Sequence, residues 1–164
     1  MIVDKSASFT SERLVYRGIA RKDADVIVSW RNEPDNLANF FDQRPLTLES
    51  HLIWFENYLG DPSRIDFMIS DGAGKQIGTV TLSSIESGSC EVGYLIGDKS
   101  ARGKGYATEA VRAACRYAFE ELGLCCVDAR IKPDNTLSER VAAKAGFDER
   151  EHVWRLERSH SNNE

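Results

Sequence analysis

The chain has 164 residues and a formal net charge of −5 at pH 7, and 41% of its residues are hydrophobic. A chain of this length can bury a substantial core and corresponds to one domain. The acidic balance argues against nucleic acid or an anionic membrane as a partner, because both attract basic proteins. No apolar run approaches the ~18 residues of a membrane span and no signal-peptide core follows the N-terminus, so we expect a cytoplasmic protein.

We expect a single domain over residues 1–164, with its core between residues 12 and 157 and a frayed polar tail at 159–164. The four cysteines and three histidines form no Cys-x-x-Cys pair and no local cluster. Isolated cysteines of this kind are typical of buried reduced thiols, so we expect neither a metal site nor disulfides.

The first third of the chain predicts one strand and two helices. Residues 12–19 read as a strand, and Asp23 can cap a short helix that must stop near Pro34. Thr47 is the predicted N-cap of a longer helix that Gly60 terminates. The apolar positions with helical spacing in this second helix are Leu48, Leu52, Phe55 and Leu59.

The middle of the chain predicts a β-meander. Residues 65–69 alternate between apolar and polar, residues 71–74 form a turn, and residues 76–85 return as a second strand. A further turn at Gly88 leads into a strand over residues 89–96.

The second half predicts a βαβ unit. Small and apolar residues recur at helical spacing from Ala107 to Leu122, and Gly123 ends this helix. Residues 125–131 form a short apolar strand, which should run parallel to the strand at 89–96.

A last helix and one or two strands follow. Pro133 turns the chain into the helix, Gly146 closes it, and residues 147–156 supply the strands. The helix positions expected to face inward are Leu137, Val141 and Ala145. The order of elements predicts the α/β (α+β) class, a mixed sheet with helices on both faces.

The connection between the meander and the long helix has the features of an anion site. Gly97, Gly103 and Gly105 leave the backbone open to close approach by a ligand. The first turn of a helix presents unpaired N–H groups and the positive end of the dipole, which suits phosphate. Arg102 and Lys104 lie in the same connection and would add charge.

Two common phosphate loops do not fit this connection. A P-loop needs four residues between its glycines and a hydroxyl after the lysine, but Gly105 follows Lys104 here. A dinucleotide fingerprint opens the first βαβ unit and ends in Gly or Ala, but its third position here is Thr108.

The connection instead resembles the acyl-CoA motif of the Gcn5-related N-acetyltransferase family, Gln/Arg-x-x-Gly-x-Gly/Ala between a strand and a long helix. Arg102, Gly105 and Ala107 match each defined position. The stretches Asn-Thr-Leu-Ser at 135–138 and Lys-Ala-Gly-Phe at 144–147 are similar to the ribosomal-protein-acetyltransferase-like branch of the family.

The resemblance implies a mostly antiparallel sheet whose central parallel strand pair splays apart, and acetyl-CoA as the co-substrate with no metal. The pantetheine arm would lie in the splay and the pyrophosphate on backbone N–H groups. Asn135 would contact the arm, although an N-cap role explains it as well. The residues that the resemblance places on acetyl-CoA are Tyr94, Leu95, Ile96, Arg102, Gly103, Lys104, Gly105, Tyr106, Ala107, Thr108 and Asn135.

The catalytic residues implied by the resemblance are Glu91 and Ser138. Many members protonate the departing thiolate with a Tyr, but that position is Ala142 here; the similar branch uses a Ser that falls on Ser138. Glu91 matches a family position for a base, and an ordinary solvent-facing strand residue is the alternative. A base matters because a lysine-like amine, pKa ~10.4, is only ~0.1% neutral at pH 7.

Residues 29–34 and 51–55 resemble acetyltransferases of nucleotide-linked amino sugars, such as the pseudaminic-acid pathway enzyme. Core packing explains Trp30 equally well, and packing against the preceding loop explains the aromatic stripe of the second helix. The candidate acceptor-binding residues are Trp30, Arg31, Phe41, His51 and Trp54.

We therefore expect direct transfer of the acetyl group to the primary amine of a small molecule, with an amino sugar ranked first. A protein N-terminal amine is the alternative acceptor. A non-catalytic module that senses acyl-CoA is the alternative of another class, because the usual Tyr is missing at position 142. Assembly as a homodimer is left open.

Overall fold

The computed structural model describes residues 2–150 and 153–159, and the predicted tail lies, beyond Ser159, outside these residues. The strands are β1 (Ser8–Thr10), β2 (Val15–Gly18), β3 (Ile65–Ser70), β4 (Gln76–Glu86), β5 (Ser89–Ile96), β6 (Cys126–Arg130), β7 (Asp148–Arg150) and β8 (Val153–Glu157). The α-helices are α1 (Ala24–Asn32), α2 (Pro34–Leu37), α3 (Leu48–Leu59), α4 (Tyr106–Glu120) and α5 (Thr136–Lys144).

These strands form a sheet in the order β1-β2-β3-β4-β5-β6-β8-β7. The parallel pair is β5 with β6, as the βαβ unit predicts, and the other neighbours are antiparallel. The mixed, mostly antiparallel sheet is therefore confirmed. Strand β1 is not foreseen, because three residues are too few for an alternating pattern.

The first predicted strand is shorter than residues 12–19. The amide of Ser11 donates to the carbonyl of Leu14 at 2.9 Å, which closes a turn between β1 and β2. The strand therefore begins at Val15 and ends at Gly18.

The parallel pair separates soon after it forms, which is the splay that the family resemblance implies. The paired positions are Ser89 with Cys126, Cys90 with Val127 and Glu91 with Asp128. Beyond these, β5 continues to Ile96 bonded to β4 alone, while the end of β6 is bonded to β8. A gap therefore opens between the two strands at residues 92–96.

Helices cover both faces of the sheet. On one face, Val80 and Leu82 belong to a large core with Ala110 and Ala114 of α4. On the other face, Met68 and Leu95 belong to a smaller core that includes Ile27, Phe55 and Tyr58 of α1 and α3. Alternate residues of each strand therefore serve opposite cores, as the period of a strand requires.

Helix α3 buries a different stripe from the one its aliphatic residues predict. Thr47 caps it as expected, since its side chain accepts from the amide of Ser50 at 3.0 Å. However, Leu48 and Leu59 are 41% and 48% exposed. The buried residues are His51, Phe55 and Tyr58. The aromatic stripe faces the sheet because large rings bury more apolar area.

Helix α5 also differs in one inward position. Val141 and Ala145 pack in or against the large core, but Leu137 is 69% exposed. Leu137 lies in the first turn, where α5 borders the gap between β5 and β6 rather than the core.

Candidate active site

The glycine-rich connection has the backbone conformation that the phosphate interpretation needs. Gly103 and Gly105 have φ values of +74° and +78°, which L side chains rarely adopt. No atom lies within 4 Å of the place where a Cβ of Gly103 would be, so conformation rather than space requires glycine there. Gly105 is the N-cap of α4, and no side chain caps this helix end. Its first amides are therefore open to an anion.

A clamp from the first hairpin fixes this turn from outside. The Arg13 guanidinium donates to the carbonyl of Lys104 at 2.8 Å and to Glu109 at 2.7 Å. It also lies over the ring of Tyr106, 4.6 Å from the centroid. Burial alone would raise the pKa of Glu109, but hydrogen bonds from Ser11 and Arg13 lower it overall. No sequence pattern indicated this clamp, because its partners lie more than 90 residues apart.

Arg102 points back into the protein rather than supplying free charge to the turn. Its guanidinium donates to the carbonyl of Ile96 at 3.2 Å and to the side-chain oxygen of Asn36 at 2.9 Å. Asn36 is buried and donates in turn to the carbonyl of Trp30 at 2.8 Å. The motif arginine thus ties the end of β5 to helices α1 and α2.

The reason for glycine at position 97 differs from the one inferred from sequence. A Cβ there would lie 2.1 Å from ring carbons of Trp30, so Gly97 makes room for the indole rather than for a ligand. Trp30 is only 9% exposed and belongs to the smaller core. The structure therefore places Trp30 in core packing and outside the cleft.

The gap between β5 and β6 is the floor of a cleft of about 780 Å³. One end lies at the glycine turn and the first turn of α4, and the other reaches the segment after α2 at Phe40 and Phe41. The predicted acetyl-CoA residues that line the cleft are Tyr94, Leu95, Ile96, Arg102, Gly103, Gly105, Tyr106, Ala107, Thr108 and Asn135; Lys104 contributes its carbonyl to the Arg13 clamp.

Ser138 and Tyr94 meet across this cleft. The Tyr94 phenol and the Ser138 hydroxyl lie 2.9 Å apart, and both residues line the cleft. Burial raises the pKa of Tyr94, although its hydrogen bond with Ser138 opposes the shift. The side chain of Asn135 accepts from the Ser138 amide at 3.1 Å and caps α5. The N-cap role proposed as the alternative for Asn135 is thus present, and Asn135 also lines the cleft.

Glu91 lies at the edge of the splay. Its carboxylate pairs with the Arg130 guanidinium at 3.1 Å. Arg130 lines the cleft, whereas Glu91 is not among the lining residues. Glu91 shares the strand face of Leu95, two pleats away, which is the side of α1 and α3. Its role as a base remains a prediction.

The candidate acceptor residues divide into three groups. Phe41 is 70% exposed and lines the cleft. Arg31 lies one layer behind, with its guanidinium 3.8 Å from the centroid of the Phe40 ring. His51 is 6% exposed, and Trp54 stacks on another ring of the same helix at 5.1 Å. Like Trp30, these two residues of α3 serve packing and lie outside the cleft lining.

The cysteines do not suit a covalent acetyl-enzyme. Burial raises the pKa of Cys90 and of Cys115 to about 12, so both thiols stay protonated and unreactive at neutral pH. None of the four cysteines lines the cleft. Within residues 2–150 and 153–159, no group of His, Cys, Asp and Glu side chains could hold a metal ion.

A comparison with protein families identifies the fold and the motif together. The model of the acetyltransferase (GNAT) domain matches residues 13–148. The chain belongs to this GNAT family. A relative, the uncharacterized N-acetyltransferase p20 of Bacillus licheniformis, is 30% identical over 145 residues, which cover 84% of this chain and 80% of the relative.

Solved structures show the same fold. Spermidine N-acetyltransferase from Vibrio cholerae, in complex with CoA and spermine, superposes with a TM-score of 0.81 at 22% identity, over 88% of this chain and 94% of that one. Ribosomal-protein-S5-alanine acetyltransferase from Vibrio fischeri superposes with a TM-score of 0.77 at 23% identity, over 92% and 96%.

The GNAT protein is therefore an acetyl-CoA-dependent N-acetyltransferase, and acetyl-CoA is its co-substrate. The residues present fit this co-substrate: Gly103 and Gly105 shape an uncapped helix start, and the splay exposes the backbone of β5. No helix in the described part of the chain is long and apolar enough to cross a membrane.

Proposed function

We propose that this GNAT enzyme transfers the acetyl group directly to the primary amine of a small molecule that also carries an anionic group. An amino sugar linked to a nucleotide combines both features and is the acceptor class we favour. The charge of the cleft and of Arg31 beside it carries this proposal.

The cleft is basic although the protein is acidic overall. The charged side chains among its lining residues are Asp35, Arg102, Arg130, Lys132, Arg140 and Lys144. Part of this positive charge suits the phosphates of acetyl-CoA. A polyamine acceptor would instead be recognised by carboxylates, and Asp35 is the one carboxylate among the described residues that line the cleft. The charge balance therefore favours an anionic acceptor over a polycation.

Arg31 is a partly buried cation without a counterion of its own. Its Nε atom is buried and has no hydrogen-bond partner among the described residues. Burial lowers the pKa of Arg31, and the neighbouring charge of Arg64 lowers it further. Two carboxylates act on it through space but have partners already; these pairs are Asp42 with Arg44 and Asp66 with Arg64.

An unpaired, partly buried charge is costly, and such groups cluster where a ligand compensates them. The Arg31 guanidinium stacks on Phe40, whose ring forms the cleft wall next to the exposed Phe41. A phosphate or carboxylate of the acceptor would complete the coordination of Arg31, while the two rings offer a surface for a base or sugar.

The test is a panel of amines, with release of the CoA thiol from acetyl-CoA as the readout. The matched pair is one amino sugar with and without its nucleoside diphosphate. Spermidine and a peptide with a free N-terminal alanine represent the other acceptor classes. We expect the nucleotide-linked sugar to have a kcat/KM at least about tenfold above the free sugar, since charge-assisted hydrogen bonds are worth roughly 1.5–3 kcal/mol.

A preference for spermidine or for the peptide would overturn the proposed acceptor class. Absence of thiol release with every amine, together with thermal stabilisation by CoA, would favour the non-catalytic module instead. Stabilisation is the control for binding, because CoA at about 100 Kd should add ~2.7 kcal/mol to the free energy of unfolding.

A further inference from the structure

Two hydroxyl groups from distant parts of the chain meet where β5 and α5 border the cleft. The Tyr94 phenol comes from the splayed end of β5 and the Ser138 hydroxyl from the first turn of α5. Their oxygen atoms are 2.9 Å apart, although 44 residues separate them in the chain. The position where many members of the family have a proton-donating Tyr is Ala142, which is buried and 4% exposed. No phenol enters the cleft from that position.

We propose that Tyr94 is a positioning residue for the leaving group: its O–H donates to the Ser138 oxygen, which directs the Ser138 O–H at the sulfur of the departing CoA. The proposal rests on acetyl transfer from acetyl-CoA and on the predicted role of Ser138. It does not depend on which amine is the acceptor.

The direction of the hydrogen bond follows from the chemistry of the two groups. A phenol, with a pKa near 10, is a much stronger donor than an aliphatic hydroxyl, whose oxygen is the better acceptor. Burial raises the pKa of Tyr94, so the phenol keeps its proton at neutral pH and remains a donor. A hydroxyl that accepts one bond is polarised and donates a stronger one, so Ser138 would bind a thiolate better than an isolated serine.

The surroundings hold Ser138 in place for this role. Its amide donates to the side chain of Asn135 at 3.1 Å, which fixes the first turn of α5. A negative charge near the first turn of a helix is stabilised by the helix dipole. Leu137, which is exposed and lines the cleft beside it, would cover the sulfur from water once the pantetheine arm is bound.

The step balances without a proton from Tyr94. The amine nitrogen attacks the thioester carbon, a C–N bond forms, and the C–S bond breaks with its electron pair on sulfur. The amine proton leaves to solvent, directly or through Glu91. The thiolate departs hydrogen-bonded to Ser138 and takes its proton from water, so both hydroxyls end the reaction unchanged.

The first experiment needs no acceptor. The thiol of CoA bound to the enzyme is titrated through the ultraviolet absorbance of its thiolate, in the wild type, Ser138→Ala and Tyr94→Phe. We expect the bound thiol to titrate at lower pH than free CoA in the wild type. The shift should vanish in Ser138→Ala and shrink in Tyr94→Phe. An unchanged titration in Tyr94→Phe would overturn the proposal.

The second experiment is a double-mutant cycle on turnover, with the best amine of the panel. Ser138→Ala should lower kcat about 10- to 100-fold, as expected for a hydrogen bond to a charged group, and Tyr94→Phe about 3- to 10-fold. KM for acetyl-CoA should stay within about twofold, because a positioning effect appears in the transition state. The double variant should be no slower than Ser138→Ala alone, since the two groups act as one unit. Additive losses would contradict the proposal.

Tyr117→Phe is the matched control. Tyr117 stacks on Phe9 at 5.1 Å in the large core and is outside the cleft lining. It should leave both the thiol titration and kcat unchanged. If the acceptor class proposed above is wrong, the panel changes but the thiol titration does not, so the two proposals fail separately.

Discussion

A Cβ atom on Gly97 would lie 2.1 Å from ring carbons of Trp30, so glycine lets the end of β5 meet the indole of α1. The contact starts a chain of bonds that reaches the phosphate turn. The carbonyl of Trp30 accepts from Asn36, and Asn36 accepts from Arg102 of the motif. The acceptor side and the acetyl-CoA side of the cleft are thus joined by packing and two hydrogen bonds.

We predict that Gly97→Ala destabilises the protein by about 2 to 3 kcal/mol, as expected for overpacking against a rigid ring. Denaturant unfolding measures the change. Gly72→Ala is the control, because no atom lies within 4 Å of that Cβ position and no positive φ is involved. The control should stay within about 0.5 kcal/mol of the wild type. Equal effects at the two sites would show that the Trp30 contact is unimportant.

We predict that Gly105→Glu abolishes thermal stabilisation by CoA, because it puts a side chain and a negative charge at the helix start that receives the pyrophosphate. Gly74→Ala separates strain from binding: its φ of +83° resembles the +78° of Gly105, but it lies in the β3–β4 turn. It should cost about 1 to 2 kcal/mol of stability and keep the full CoA shift. A normal CoA shift in Gly105→Glu would refute the location of the site.

We predict that Arg31→Met leaves the free energy of unfolding unchanged or raises it, because it removes a cation that lacks a counterion. The same variant should lower kcat/KM for a nucleotide-linked acceptor about 10- to 100-fold, while KM for acetyl-CoA stays constant. Arg21→Met is the control, since Arg21 is 60% exposed and pairs with Glu56 on the surface. Unimpaired turnover in Arg31→Met would remove Arg31 from the acceptor site.

We predict a pH-dependent loss of stability in Asp23→Asn. Asp23 is 1% exposed, and Arg17 binds it with two hydrogen bonds of 2.8 Å. Burial alone would raise its pKa, but the bonds from Arg17, Ala20 and Gln76 lower it overall.

A lowered pKa in the folded state stabilises the protein above the unfolded value of about 3.9, and this contribution is lost as the pH falls. The variant should therefore be less stable by about 2 to 3 kcal/mol at pH 7, with the gap narrowing below about pH 4. Unfolding curves across this range measure it. The exposed neighbour provides the control in Asp25→Asn, which should show no such gap.

Local patterns predicted the parts of the site that depend on neighbouring residues. The meander, the parallel pair of β5 and β6 and the long helix α4 follow from periodicity and turn residues. The glycine turn could be predicted because its backbone conformation depends on Gly103 and Gly105 themselves. The chemistry of a helix start after such a turn then indicated a phosphate.

Contacts between distant segments could not be predicted in the same way. Arg13 clamps the turn through Lys104 and Glu109, and no spacing in the chain indicates that pairing. Likewise, α3 offers both an aliphatic and an aromatic stripe, and only the packing against Met68 and Leu95 decides which is buried. The choice depends on the shape of the opposing face.

The sequence by itself therefore determined the family, the co-substrate and the turn that holds it, because those depend on residues close together in the chain. The tertiary structure decided which candidate residues share the cleft. It brings Tyr94 to Ser138 and places Trp30 in the core. It also leaves Arg31 beside the cleft wall without a counterion, since its neighbouring carboxylates bind other cations. Such partnerships arise only when the whole sheet and its helices have packed.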